Sequence, residues 1–263
     1  MGSADKLFTD GEAYERLMGR WSRPVGKAFL DWLNVPKGLR WLDIGCGNGA
    51  FTEELIVRCA PATVIAIDPS EDQLAHARTR SQMQIAEFRV GDAQKLLFDD
   101  NSFDVAVMAL VISFLSDPDQ AVREMTRVVR PGGWVATYMW DIPGGGVPVD
   151  PIYVELESMG MTSTRPPNTE ISRREVLQDL WKKVGLVSVD TPVIQIPVVF
   201  SDFDDFWDST TVPVGPQGKL IEGMSESKRE QLRLRLRDRL PAASDGHISY
   251  KSFANAVRGQ IPA

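Results

Sequence analysis

Two spacings of apolar residues recur along the first half of this chain. Compact runs of strand length (Trp41-Leu42-Asp43-Ile44, Thr63-Val64-Ile65-Ala66-Ile67-Asp68, Ala86-Glu87-Phe88-Arg89-Val90 and Trp134 to Trp140) alternate with stretches of helical period. Runs of four to eight bounded by turn residues suit buried strands, and a 3.6-residue period suits amphipathic helices. Helix starts are marked. Ser70-Glu71-Asp72-Gln73 has the form of a capping box, and Asp117-Pro118 puts an acid at a cap with proline in the first turn. After that cap, Ala121, Val122, Met125, Val128 and Val129 share one face, and Pro131-Gly132-Gly133 stops the helix. With the apolar run that begins at Val105 as a fifth strand, the alternation of strands and helices predicts a doubly wound, mostly parallel α/β sheet.

Past Trp140 the texture changes. Asp141 to Thr169 is rich in Pro and Gly and reads as a long loop or lid. Ser172-Arg173-Arg174-Glu175 predicts a capped helix carrying Val176, Leu177, Leu180, Trp181 and Val184 on one side and ending at Gly185. Leu186 to Phe200 is strand-like, with Pro192 and Pro197 restricting it to an edge or to two pieces. Leu232 to Leu240 alternates leucine with arginine, which suits a strand, but the cap Ser227-Lys228-Arg229-Glu230 and strong helix formers predict a helix. Its arginines read as a solvated, salt-bridged face in preference to a phosphate contact. A last strand-like run covers His247 to Val257. Before the sheet, Tyr14, Leu17, Met18 and Trp21 fall together on a helix.

The chain of 263 residues, 43% hydrophobic and 25% charged, can bury one sizeable core. A net charge of −7 argues against a duplex-binding footprint. The only cysteines, Cys46 and Cys59, form no disulfide framework and no zinc spacing with His76 and His247. The longest apolar run, Val105 to Leu115, is too short for a membrane span, and the first residues lack an export pattern. A cytoplasmic enzyme, monomeric or homodimeric, is the expectation.

The chemistry concentrates in Asp43-Ile44-Gly45-Cys46-Gly47-Asn48-Gly49-Ala50. A strand here breaks into alternating glycines just before a helix, which lets backbone N–H groups approach a bound molecule. The spacing Gly45-x-Gly47-x-x-Ala50 satisfies the dinucleotide fingerprint, and Asp68 follows at the distance of a ribose-binding acid. NAD enzymes and S-adenosylmethionine (SAM) enzymes both meet these conditions.

Further motifs tilt the balance towards the second. Asp43 precedes the first glycine by two residues, Gly91-Asp92-Ala93 ends the third strand-like run, and Phe103-Asp104-Val105 and Arg130-Pro131-Gly132-Gly133 follow in order. From Gly38 to Trp140 the chain resembles the class I SAM-dependent methyltransferases, in particular the broad group of ubiquinone/menaquinone-type and small-molecule enzymes. That resemblance implies a seven-stranded Rossmann-like sheet with an antiparallel last strand and a cap formed by insertions. It divides the chain into an N-terminal helical lid (1–37), a SAM-binding core (38–140), a loop or lid (141–170) and a remainder (171–263) with a cap insertion at about 200–246. It implies cofactor contacts by Asp43, Gly45, Cys46, Gly47, Pro69 and Ala109, with Asp68 on the ribose hydroxyls, Asp92 on the adenine amino group and the Ala93 N–H on a ring nitrogen. In the lid, Arg20 is the candidate partner of the methionine carboxylate, with Tyr14 or Trp21 beside the sulfonium.

The acceptor is narrowed by absences. The fourth-strand loop Ala109-Leu110-Val111-Ile112 lacks the Asn/Asp-Pro-Pro-Tyr/Phe motif of enzymes that methylate exocyclic amino groups, and neither cysteine suits a 5-methylcytosine mechanism. A small organic acceptor with an O, N or C nucleophile is expected, with no nucleic acid and no metal. In-line displacement depends mainly on orientation and needs no triad, so no catalytic residue is assigned. Tyr138, Asp141 and His247 are candidates for a base, and Trp140, Tyr153, Phe203, Phe206 and Trp207 for an acceptor pocket. Two rivals remain: an NAD-dependent oxidoreductase, and a SAM-binding regulatory protein without turnover.

Overall fold

Five parallel strands build the core of the computed structural model, which describes residues 18–80, 83–162, 164–213 and 215–263. They are β1 (Arg40–Ile44), β2 (Thr63–Asp68), β3 (Ala86–Val90), β4 (Phe103–Ala109) and β5 (Val129–Trp140), in the order β3-β2-β1-β4-β5. The order reverses at β1, whose neighbours β2 and β4 lie on opposite sides, so a crevice opens at the carboxyl ends of β1 and β4. The sheet continues through β8 (Ile248–Gln260), antiparallel to β5 with Trp140 opposite Ala254. Beyond β8 lie β6 (Val187–Asp190) and β7 (Val193–Phe200), both antiparallel to it. The expected seven positions are present, and an eighth strand arises because the chain breaks between Asp190 and Val193. Pro192 falls in that break, where its missing N–H costs no ladder bond.

Helices cover both faces because side chains alternate along each strand. Trp41, Val105 and Val107 belong to one apolar cluster, and Leu42, Ile44, Ala106 and Met108 to the other. The first face receives α1 (Arg20–Leu33) and α2 (Ala50–Cys59), with α3 (Glu71–Arg78) packed over Ala66 and Phe88. The second receives α4 (Pro118–Val128) and α6 (Arg174–Lys183), with Trp181 fully buried and its indole N–H donating to Val135 O at 3.0 Å. Capping follows the expected chemistry at Ser70, which accepts from Gln73 N, and at Asp117, which accepts from Gln120 N.

Three local expectations need correction. The stretch predicted as loop, 141–169, contains α5 (Asp150–Ser158), which buries Ile152, Glu155 and Leu156; Pro151 is tolerated in its first turn. At the start of α6 Ser172 makes no cap, because its hydroxyl accepts from Ile142 N and donates to Thr169 O. Between β7 and β8 lie α7 (Phe203–Thr210), α8 (Gly215–Glu222) and α9 (Glu226–Arg239), and α9 is capped by Ser225, two residues before the predicted Ser227.

The arginine-leucine repeat makes sense on α9. Leu232 and Leu236 face inward. Arg235 and Arg239, one turn apart, share the buried carboxylate of Glu155 on α5 at 2.8 and 2.7 Å. On the other flank Arg233 reaches Asp204 of α7 at 2.8 Å, and Arg237 lies 4.7 Å from the Phe203 ring centre. The helix is clasped between its neighbours by its charges, as the salt-bridged reading anticipated.

Candidate cofactor site

The turn after β1 is tied directly to the end of β2. Gly45 N and Cys46 N both donate to Ile67 O, at 2.8 and 3.0 Å, and Gly47 N donates to Asp68 Oδ2 at 2.9 Å. Asp68 Oδ1 accepts from Ser70 N at 2.9 Å. Each oxygen of this buried carboxylate is therefore oriented by a backbone N–H. Gly91 N in turn donates to Asp68 O at 3.2 Å, which brings the end of β3 alongside.

Glycine is required at two points in the turn for different reasons. Gly45 has φ +72°, and a Cβ there would lie 2.5 Å from Val111 Cγ2 in the loop after β4. Gly47 has φ +51° with open space on its Cβ side, so its glycine is set by the backbone conformation and not by crowding. Gly49 then caps α2 in the left-handed conformation. Among the described residues the backbone also turns left-handed at Leu110, φ +61°, immediately after β4. A non-glycine residue there is strained, and Leu110 is pinned by donating its N–H to Tyr138 O at 2.9 Å. Leu110 and Val111 escape sequence reasoning because nothing in an apolar run marks a sharp turn.

Beneath the turn lies Asp43, fully buried. Thr52 Oγ1, in the first turn of α2, donates to its Oδ2 at 2.7 Å, while Oδ1 is buried without a hydrogen-bond partner. Burial first, and then the Asp68 charge, push its carboxyl up to about 7 against the pull of Thr52. Cys46 is buried beside it. Burial and the charges of Asp43 and Asp68 raise its thiol well above the usual range, so it stays protonated and is no nucleophile.

The carboxyl ends of β1 to β4 thus gather Asp43, Gly45, Cys46, Gly47, Asp68, Asp92, Ala93 and Ala109 around one crevice, with Pro69 exposed after β2. Asp92 is exposed and its Oδ1 accepts from Gln94 N at 2.8 Å; Ala93 is buried behind it. Beside them a recess of about 210 Å³ is lined by Ile67, Gly91, Asp92, Leu96 and Phe98.

The lid residues are placed differently. Trp21 is buried edge-on against Phe200, 5.7 Å between ring centres, and belongs to the core. Arg20 donates to Val199 O at 3.0 Å and pairs with Asp205 at 3.2 Å, so a protein carboxylate occupies the guanidinium assigned to the cofactor. Both residues therefore hold α1 to β7 and α7. Tyr14 lies outside the described residues.

The candidate bases and pocket aromatics lie in different surroundings. Tyr138 is buried 4.7 Å from Phe29, between ring centres, and Asp141 Oδ1 accepts from Gly144 N at 2.9 Å. His247 is exposed and faces Asp245 in the turn before β8. Trp140, Phe206 and Trp207 are buried in the cluster between the sheet and the cap, with Tyr153 and Phe203 packed against it. No group of three or more metal-ligating side chains exists among the described residues, and none of the described helices is long and apolar enough to cross a membrane.

The comparisons agree with this geometry. Residues 42–137 match the methyltransferase domain family. The chain is similar to the ubiquinone/menaquinone biosynthesis C-methyltransferase of Dinoroseobacter shibae, 34% identical over 110 residues, covering 40% of this chain and 44% of the relative. It spans about half the length, or less, of the curated relatives it matches. Phosphoethanolamine N-methyltransferase 2 of Haemonchus contortus, solved in complex with S-adenosyl-L-methionine, superposes with a TM-score of 0.59 at 19% identity, covering 100% of this chain and 61% of that one. The [4+2]-cyclase SpnF superposes with a TM-score of 0.56 at 17% identity, covering 100% of this chain and 98% of that one. Residues 42–137 are thus similar to the methyltransferase domain family, and the fold is the one shared with these solved neighbours.

Proposed function

We propose that this protein binds S-adenosylmethionine in the crevice above β1 to β4 and directs methyl transfer to an O, N or C nucleophile of a small organic acceptor. The observation that carries the reading is the Asp68 carboxylate, fixed by Gly47 N–H and Ser70 N–H at the carboxyl end of β2, beside β1 where the strand order reverses. That arrangement suits a pair of ribose hydroxyls. The residues fit the cofactor elsewhere too: Gly47 has open space on its Cβ side for the methionine end, and Asp43 Oδ1 is an orphaned buried acceptor in an otherwise satisfied turn. Asp92 and the Ala93 N–H take the adenine edge. When bound, the cofactor supplies an already activated methyl group. The protein's part is to orient the acceptor in line and exclude water, worth on the order of 7–11 kcal/mol in favourable cases.

Calorimetry tests this. SAM and its demethylated product should bind and NAD should not. Asp68→Ala should weaken SAM by roughly 1–3 kcal/mol through lost charge-assisted hydrogen bonds. NAD binding, or full affinity in a folded Asp68→Ala protein, would overturn the reading. A neighbour named as a cyclase shares this fold, so the fold by itself leaves a second reading, cofactor binding without methyl transfer. It predicts SAM binding with no consumption of methyl-labelled SAM across a broad acceptor panel.

A further inference from the structure

Asp43 is a buried acid whose charge nothing within the described protein compensates. Its Oδ2 holds the Thr52 hydroxyl and its Oδ1 holds nothing. The charged group that acts on it is a second acid, and the cations nearest the turn are held by other partners. Asp68, at the end of β2, is a second carboxylate and repels it; Cys46, in the turn, is a neutral thiol. On the α3 side, Arg78 pairs with Glu71 and donates to Phe88 O, while Arg80 pairs with Glu53 and donates to Asn48 O. From β4 the apolar Val107 lies opposite it in register. An unpaired charge in such a place is costly, and the group takes up a proton instead.

We propose that Asp43, positioned by Thr52, is a proton-coupled anchor for the cationic end of the cofactor: binding ionises the acid, and its proton leaves to solvent. The inference rests on the SAM reading above. The O–H bond of the carboxyl breaks, its electron pair stays on the carboxylate, and the buffer takes the proton. Thr52 is the positioning residue, because its hydroxyl stabilises the ionised form. With the free acid held protonated by its burial, proton release per site should be largest at pH 6 and decline towards pH 8. Affinity then falls as pH drops into the range where the free acid is protonated, approaching tenfold per pH unit.

The test is titration calorimetry of the whole protein with SAM and with its demethylated product at pH 6, 7 and 8. Each is run in phosphate and in Tris, whose ionisation heats differ. Wild type should show buffer-dependent heats at pH 6 and 7, and Asp43→Asn should bind with that dependence removed. Thr52→Val should shift the release curve to higher pH. It also serves as the second variant should Asp43→Asn fail to fold. 5′-Methylthioadenosine, which lacks the amino-acid end, should release no proton from wild type. Binding of SAM with identical heats in both buffers at pH 6 and 7 overturns this inference and leaves the cofactor reading standing. Unchanged release in Asp43→Asn, or an unshifted curve in Thr52→Val, overturns the assignment to these two residues. Failure of SAM to bind at all sinks the cofactor reading, and this inference with it.

Discussion

The Asp43 carboxyl, held neutral in part by its surroundings, sets a stability term opposite in sign to that of most acids. An acid raised to about 7 in the folded state binds its proton more tightly there than in the unfolded chain. Its contribution is therefore greatest below the unfolded carboxylate range near pH 4 and is lost as pH rises from there to about 7. Asp43→Asn should accordingly raise the melting temperature at pH 7.5 while abolishing proton release, and an unchanged or lower value would count against burial as the cause. Gly45 makes the converse case. Alanine there meets both an unfavourable φ and the Val111 side chain, so Gly45→Ala should cost about 2–4 kcal/mol in denaturant titrations. Gly45→Ala and Asp43→Asn thus move stability in opposite directions at two places in one site.

At the scale of elements, the clasp between α5 and α9 governs the cap. Glu155 is buried and accepts from Arg235, Arg239 and Ser158, while both guanidinium groups reach solvent. Glu155→Gln should destabilise by about 1–3 kcal/mol, because the arginines can be rehydrated where the carboxylate could not. Hydrogen exchange should quicken in α5, α7 and α9 and stay slow in β1 and β4; uniform quickening would show that the cap is not a separate unit. The elements also show where pattern reading works. α4 was legible because its cap, its period and its stop all agree. α5 was not, since Gly144-Gly145-Gly146 and Pro151 mask a short helix held by burial of Ile152 and Leu156 against the cap. The break between β6 and β7 was visible only as two prolines of uncertain meaning, until pairing with β8 showed which one interrupts the strand.

For the molecule as a whole, two linkages follow. Asp104, at the foot of β4, is desolvated, yet hydrogen bonds from the Arg40 side chain and backbone and from Arg130 outweigh that burial and hold its carboxyl well below the usual carboxylate range. A depressed acid stabilises above its unfolded value and loses that contribution as pH falls, so acid unfolding should begin below about pH 4. Asp104→Asn should flatten the acid limb of stability against pH, and an unchanged limb would refute the role. Cofactor binding should add about 2.7 kcal/mol of stability at a hundredfold excess over Kd, read as a rise in melting temperature with SAM and none with NAD.

What the amino-acid order determined by itself was local and periodic: the strand and helix alternation, the glycine turn, and the acids Asp43, Asp68 and Asp92 at successive strand ends. Short-range sterics and capping decide those features, and a strand end carries its site residue wherever the sheet places it. Only the tertiary structure decided that Arg20 faces Asp205 and that Trp21 lies against Phe200. It alone brought Val111 against Gly45 and forced Leu110 into a left-handed turn. It alone buried Asp43 with Thr52 as its hydrogen-bond donor. Each of these depends on which distant segment arrives opposite, and on how much water remains once it does, which no spacing along the chain encodes.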